Sequence, residues 1–270
     1  MSDARAHPAR VVLLGHPVAH SRSPRFQNAA LAAARIPLEY GLIDVPPERL
    51  DATLRELRVQ GAAGNVTIPH KEAVATSCDR LTPIAERVGA VNTFWMADGE
   101  LWGDNTDVAG FDAAARALGT IRHHAVVVCL GAGGAAAAVC GAVAQWPEAR
   151  VILLARSAQR ASRLADRFPG LVTLATALPE HATLVVNATP VGLFGDVTPL
   201  AIEDLPRDAD VMDLVYRREE TQLVRLARTA GHRAIDGREM LLQQGALAFE
   251  RWFGIVPDIP AMRRALELGD

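Results

Sequence analysis

Lysine is almost missing from this 270-residue chain: of 28 basic residues one is a lysine, Lys71, and arginine holds every other basic position. Arginine solubilises, pairs with carboxylates and closes helix ends, but it does not release a proton in ordinary protein surroundings, whereas lysine can. A lone lysine therefore marks a candidate position for a titratable amine. Aromatic residues are scarce too, at 5%, so Ala, Leu and Val must fill a core drawn from 50% hydrophobic residues. Cysteine is limited to Cys78, Cys129 and Cys140, with no metal-ligand spacing. That odd number fits reduced thiols in a cytosol. There is no run of like charges, and a net charge of −3 with a pI near 6.2 argues against nucleic acid or an anionic membrane as partner. The opening MSDARAHPAR has no apolar stretch, so a secretory signal is not expected in it. Residues 125–146 are uncharged and long enough to cross a bilayer. Gly131, Gly133 and Gly134 interrupt them, so a strand, a glycine turn and a helix explain the segment better.

Strand and helix patterns alternate along the chain. Strands are expected at Val11–Leu14, Leu38–Asp44 and Asn65–Ile68, with helices over 24–35, up to about 60, and after His70. Asp98-Gly99 signals a hairpin between 92–96 and 100–103. Further strands are expected at 126–130, 151–154, 172–174, 184–187 and 211–214, after a helix over 108–118. Strands spaced by helices imply parallel sheets with covered faces. The expected organisation is α/β in two domains with a cleft between them. One is an N-terminal substrate-binding domain of residues 1–107, rejoined by 238–270; the other is a Rossmann-type dinucleotide-binding domain of 108–237.

The strand 126–130 runs into Gly131-Ala132-Gly133-Gly134-Ala135-Ala136, a G-x-G-x-x-A turn at a helix start. Such a turn lets the backbone approach a pyrophosphate and offers free N–H groups at the positive end of the helix dipole. An NAD site usually places a carboxylate after the next strand. This chain has Arg156, Ser157 and Arg160 there instead, with Ala155 before them. Arginines bind a 2′-phosphate that a carboxylate would repel, so the cofactor expected is NADP.

Four clusters in the first domain carry polar chemistry. Ser21-Arg22-Ser23-Pro24 reads as a helix start, with Ser23 the N-cap and Pro24 the first helical residue. Two hydroxyls there suit a small carboxylate. Asn65-Val66-Thr67-Ile68-Pro69-His70-Lys71, Gly89-Ala90-Val91-Asn92-Thr93 and Gly103-Asp104-Asn105-Thr106-Asp107 follow. Later come Asn187-Ala188-Thr189-Pro190, Asp213-Leu214-Val215-Tyr216 and Asp236-Gly237 through Met240 to Gln244. In this order, and over nearly the whole chain, the motifs resemble those of the shikimate dehydrogenase family.

The resemblance implies a cytoplasmic enzyme of aromatic amino-acid (chorismate) biosynthesis. It would interconvert 3-dehydroshikimate and shikimate with NADP, as a monomer or homodimer. Ser21 and Ser23, backed by Thr67, would hold the substrate carboxylate. Asn65, Asn92, Asp107 and Gln244 would bind ring hydroxyls, and Tyr216 would approach the carboxylate or close the site. Gly131, Ala132, Gly133, Gly134 and Ala135 would take the pyrophosphate; Arg156, Ser157 and Arg160 the 2′-phosphate; Thr189, Leu214, Gly237 and Met240 the nicotinamide end. Lys71 with Asp107 is the candidate catalytic pair, either moving a proton or stabilising a developing alkoxide by charge alone. Departures from the family pattern are Ala155 in place of a polar residue, Arg217-Arg218-Glu219-Glu220 where a proline is common, and Gly64 for an alanine-like residue, a change expected to be harmless. Quinate/shikimate and aminoshikimate dehydrogenases, and a non-catalytic ligand sensor, are the alternative readings. His20 and His70 lie in substrate motifs without an assigned role, and the adjacent His123 and His124 lack zinc-ligand spacing.

Overall fold

The structure is a computed structural model and describes residues 7–267; the first six residues of the N-terminal stretch read above lie outside the described part. The chain divides into two compact units, residues 1–106 with 241–270, and residues 107–240.

The first unit contains β1 (Arg10–Gly15), α1 (Ser23–Ala33), β2 (Tyr40–Asp44), α2 (Leu50–Val59), β3 (Ala62–Val66), α3 (Lys71–Ser77), β4 (Arg80–Leu81), α4 (Pro83–Val88), β5 (Thr93–Ala97) and β6 (Glu100–Asp104). Its sheet runs β2-β1-β3-β5-β6-β4. The sheet is mixed rather than purely parallel. β1 pairs in parallel with β2 and β3, whereas β5 is antiparallel to β3 and β6. The cause is the expected hairpin: Asp98 (φ 53) and Gly99 (φ 79) supply the two left-handed residues that a tight turn requires. β3 begins at Ala62 and ends at Val66, not over 65–68. Its first residues, Ala62-Ala63-Gly64, have little intrinsic strand preference, and the ladder to β1 decides the matter.

Helices cover both faces of this sheet. On α2, Leu50, Leu54 and Leu57 recur at helical spacing and are all buried. On the other face α1 packs with the C-terminal helices α9 and α10 described below, through Phe26, Leu31, Phe249, Trp252, Met262 and Leu266. Each such side chain contributes about 1.5–3 kcal/mol by leaving water. The closing helices thus pack on the first unit.

The second unit contains α5 (Asp107–Leu118), β7 (Val126–Leu130), α6 (Gly134–Val143), β8 (Arg150–Leu154), α7 (Ala158–Arg167), β9 (Val172–Leu174), β10 (Leu184–Asn187), β11 (Asp210–Asp213), α8 (Gln222–Thr229) and β12 (Ala234–Ile235). The chain continues through α9 (Arg238–Phe253), whose residues from Leu241 belong to the first unit, to α10 (Ile259–Glu267). All strand pairs of the second sheet are parallel, in the order β9-β8-β7-β10-β11-β12. Counted within the unit this is 3-2-1-4-5-6, the doubly wound order of dinucleotide-binding domains. The uncharged stretch 125–146 is β7, the glycine turn and α6. Among the described residues no helix is long and apolar enough to cross a membrane.

Candidate active site

In open α/β sheets ligands sit beyond the carboxyl ends of the strands, where the strand order switches direction. In the first unit that point lies between β1 and β3. The Ser21–Ser23 segment follows β1, and Thr67 to Lys71 follows β3. Because β5 is antiparallel to β3, the start of β5 reaches the same edge, with Thr93 opposite Asn65. β6 ends there too, with Asp104 opposite Thr93. Motifs more than 80 residues apart in sequence thereby reach one sheet edge, roughly as a strand-pair geometry of fixed register requires.

Close backbone approach builds this edge. A Cβ on Gly15 would stand 2.4 Å from Thr67 Cγ2, and one on Gly64 would stand 2.2 Å from the Val12 carbonyl oxygen. Gly64 is therefore not a harmless variant of alanine in this chain: β1 and β3 meet where a methyl group would go. The helix start also differs from expectation by one residue. Ser23 is the first residue of α1 and Arg22 occupies the cap position without a side-chain cap bond. Ser21 Oγ instead accepts from the Ser23 N–H at 3.2 Å, which leaves the Ser21 hydroxyl proton available for an acceptor. Ser23 is buried and Ser21 half-buried.

The amides form a connected cluster. Tyr40 donates its hydroxyl to Asn65 Oδ1 at 2.8 Å, and Asn65 Nδ2 donates to the Asn92 carbonyl at 3.1 Å. Asn92 Nδ2 donates to Thr106 Oγ1 at 3.0 Å and Gln244 Oε1 at 3.2 Å, while Asn92 Oδ1 accepts from the Thr106 N–H at 2.7 Å. Gln244 Nε2 donates to the Leu241 carbonyl at 2.9 Å. Burying these groups unbonded would be costly; bonded to one another they fix each amide's orientation. Asn65, Asn92 and Gln244 are thus brought together, and Tyr40 and Thr106 are members the sequence pattern does not single out. Thr106 lies inside a quoted motif; Tyr40 carries no local signal. Lys71 opens α3, half-buried, its carbonyl taking the Val91 N–H at 2.8 Å. His70 before it is buried, with Nε2 2.6 Å from the Val45 carbonyl, a structural position.

In the second unit the switch point lies between β7 and β10. Gly131 leaves β7 at φ 109, and a Cβ there would meet the Ala188 carbonyl oxygen at 3.0 Å and Thr189 Cγ2 at 3.1 Å. Nothing lies within 4 Å of a Cβ built on Gly133, which caps α6 without a side-chain bond. The first N–H groups of α6 are thus left to an outside acceptor, as a pyrophosphate cradle requires. At the carboxyl end of β8, Ser157 caps α7 by accepting from the Arg160 N–H at 3.4 Å. Arg156 and Arg160 are exposed, and among the described residues neither has an ion-pair partner. This donor set fits a phosphorylated dinucleotide.

Around β10 and β11, Thr189 donates to Asn187 Oδ1 at 2.6 Å, and Asn187 Nδ2 donates to Asp213 Oδ1 at 2.8 Å. The Leu214 N–H donates to the Asn187 carbonyl at 3.0 Å, and a Cβ on Gly237 would stand 2.3 Å from the Leu214 carbonyl oxygen. Thr189, Leu214 and Gly237 are thereby gathered; Met240 is buried in the first turn of α9 and Tyr216 is half-buried beyond Leu214. Burial pushes the Asp213 carboxyl up to about 6, against hydrogen bonds from the Val215 N–H and the Asn187 side chain. Asn187 closes an otherwise apolar strand, a signal readable in the sequence, whereas Asp213 ends a strand that also begins with an aspartate, Asp210. The segment where a proline is common is anchored by Arg217, whose Nη1 donates to the Gly195 carbonyl at 2.8 Å and pairs with Asp196 at 3.0 Å. Asp107, buried, opens α5.

A 3-2-1-4-5-6 parallel sheet with a glycine turn at its switch point, joined to a second α/β unit rich in hydroxyls and amides, defines a two-domain dinucleotide-binding protein. Comparison with known proteins narrows this class. The shikimate dehydrogenase substrate binding domain matches residues 13–94, and the shikimate 5'-dehydrogenase C-terminal domain matches residues 237–267. A protein of Symbiobacterium thermophilum named shikimate dehydrogenase (NADP(+)) is 43% identical, over 96% of this chain and 94% of its own. One of Rubrobacter xylanophilus with the same name is 43% identical over 95% and 94%. The crystal structure of shikimate 5-dehydrogenase from Thermus thermophilus in complex with NADP(H) and shikimate superposes with a TM-score of 0.86 at 39% identity, covering 95% of this chain and 98% of that one. The chain belongs to the shikimate dehydrogenase family.

Proposed function

We propose that this protein catalyses the reversible, NADP-linked reduction of 3-dehydroshikimate to shikimate, in the cytoplasm and as a monomer or homodimer. The observation that carries the reading is family membership across nearly the whole chain, together with the polar motif residues named above. When bound, NADPH supplies the hydride and NADP takes it back.

The chain's own residues do the rest. The uncapped start of α6 and the turn Gly131 to Ala135 receive the pyrophosphate. Arg156 and Arg160 meet the 2′-phosphate with charge-assisted bonds, and Ser157 fixes the helix start between them. Thr189, Leu214, Gly237 and Met240 border the nicotinamide end. Ser21 and Ser23, with Thr67, hold the substrate carboxylate, and Tyr216 approaches it. Asn65, Asn92 and Gln244 present oriented amides to the ring hydroxyls. Lys71 gives a proton to the carbonyl oxygen during reduction and takes it from the hydroxyl during oxidation, with Asp107 holding the amine and a ring hydroxyl in place.

The test is a side-by-side assay of shikimate and quinate with NADP and NAD, followed by nicotinamide absorbance. The expected result is the highest kcat/KM for shikimate with NADP. A preference for quinate or NAD, or no turnover with any pair, would overturn the assignment.

A further inference from the structure

Two loops of the second unit bring three metal-ligating side chains to one surface point. His123 and His124 precede β7, and Glu148 precedes β8. One ligand atom from each lies within 4.8 Å of the other two, and all three residues are exposed. His124 Nδ1 is 3.1 Å from Glu148 Oε2, and His123 Nε2 is 4.0 Å from Glu148 Oε1. The two imidazoles meet edge to face, with centroids 3.9 Å apart.

The backbone sets this arrangement. The His124 N–H donates to the Pro147 carbonyl at 2.9 Å, and the Arg150 N–H donates to the Ala125 carbonyl at 2.9 Å, so the loops are tied on both sides of the cluster. His124 and Glu148 both adopt φ 54, a left-handed conformation that residues other than glycine seldom take. The turn thus places bulky ligating side chains where glycine or asparagine would be the comfortable choice.

We propose that His123, His124 and Glu148 form a surface site for a divalent first-row transition ion such as zinc. Two imidazoles and one carboxylate are a borderline-soft donor set suited to zinc, not to magnesium or calcium, which want oxygen donors throughout. Ligands about 2.0–2.2 Å from a tetrahedral zinc ion stand roughly 3.4 Å from one another. That value lies inside the 4.8 Å that bounds the three ligand atoms, so the ion needs only side-chain movement to bridge the loops. The exposed face leaves the fourth position to water. The site lies at the amino ends of β7 and β8, whereas the glycine turn leaves the carboxyl end of β7. The ion would therefore clip the two loops together without entering the cofactor motif.

The experiment is calorimetric titration of the full-length, tag-free, chelator-stripped protein with zinc chloride alone, at a pH above the ordinary histidine range. The expected result is one zinc ion per chain, bound roughly tenfold or more weakly in His124→Ala and in Glu148→Gln. Zinc should raise the thermal midpoint of the wild type but not of these variants. Turnover with shikimate and NADP should be the same for all three proteins without zinc, which separates failure of this site from failure of the catalytic reading. No saturable binding, or stoichiometric binding undiminished in both variants, would overturn the proposal.

Discussion

Asp213 is a carboxylate at the end of β11, 1% exposed, and burial pushes it up to about 6. In the unfolded chain an aspartate keeps its ordinary value of 3.8. Below that value both states hold the proton and this group takes nothing from stability. As the pH rises from there toward about 6, the native chain keeps a proton that the unfolded chain has released, so stability falls. Above about 6 the loss is complete, and the gap between the two values makes it about 3 kcal/mol. Asp213→Asn removes the charge and keeps the shape, with Oδ1 still able to accept from the Asn187 side chain and the Val215 N–H. Equilibrium urea unfolding of both proteins between about pH 4 and pH 8 should show the variant gaining on the wild type by about 2–3 kcal/mol across that span. Two parallel stability curves would mean that Asp213 binds its proton no more tightly folded than unfolded.

Arg156→Ala should raise the KM for NADP about 10–100-fold, the worth of a charge-assisted bond, and leave kinetics with NAD nearly unchanged; an equal loss with both cofactors would count against the phosphate contact. Gly64→Ala forces β1 and β3 apart and should cost about 1–3 kcal/mol in urea unfolding; an unaltered midpoint would show that the strands yield freely. Burial pushes the Cys78 and Cys140 thiols up to about 12 and the Cys129 thiol well above its ordinary value. A thiol-specific disulfide reagent at mildly alkaline pH should therefore label the folded protein slowly and label three thiols in urea; rapid labelling of the folded protein would contradict the burial described.

The second unit was nearly all readable from sequence, because strand, glycine turn and helix each impose a distinct period. The first unit was readable except where tertiary pairing overrides local preference. Ala62-Ala63-Gly64 form a strand only because β1 accepts them at close approach, and the two-residue strands β4 and β12 are too short to leave a pattern. The start of α1 lies one residue earlier than the Ser-Pro pattern implies, because Ser21 Oγ accepts from the Ser23 N–H across the turn and Arg22 takes the cap position with no side-chain bond. Within the candidate site, residues carrying chemistry in short motifs were legible. Tyr40 was not, since its contact to Asn65 spans 25 positions. Glu148 stayed hidden behind the His123-His124 pair for the same reason: only the β7–β8 ladder brings their loops together.

Under the proposed function Lys71 moves the proton that accompanies hydride transfer between shikimate and NADP. Lys71→Arg keeps the positive charge and removes the transferable proton. The direct measurement is the rate of NADPH formation with saturating shikimate, alongside shikimate affinity by calorimetry. The expected result is a fall in kcat of about 10²–10⁴-fold with affinity nearly unchanged. Turnover close to that of the wild type would contradict it.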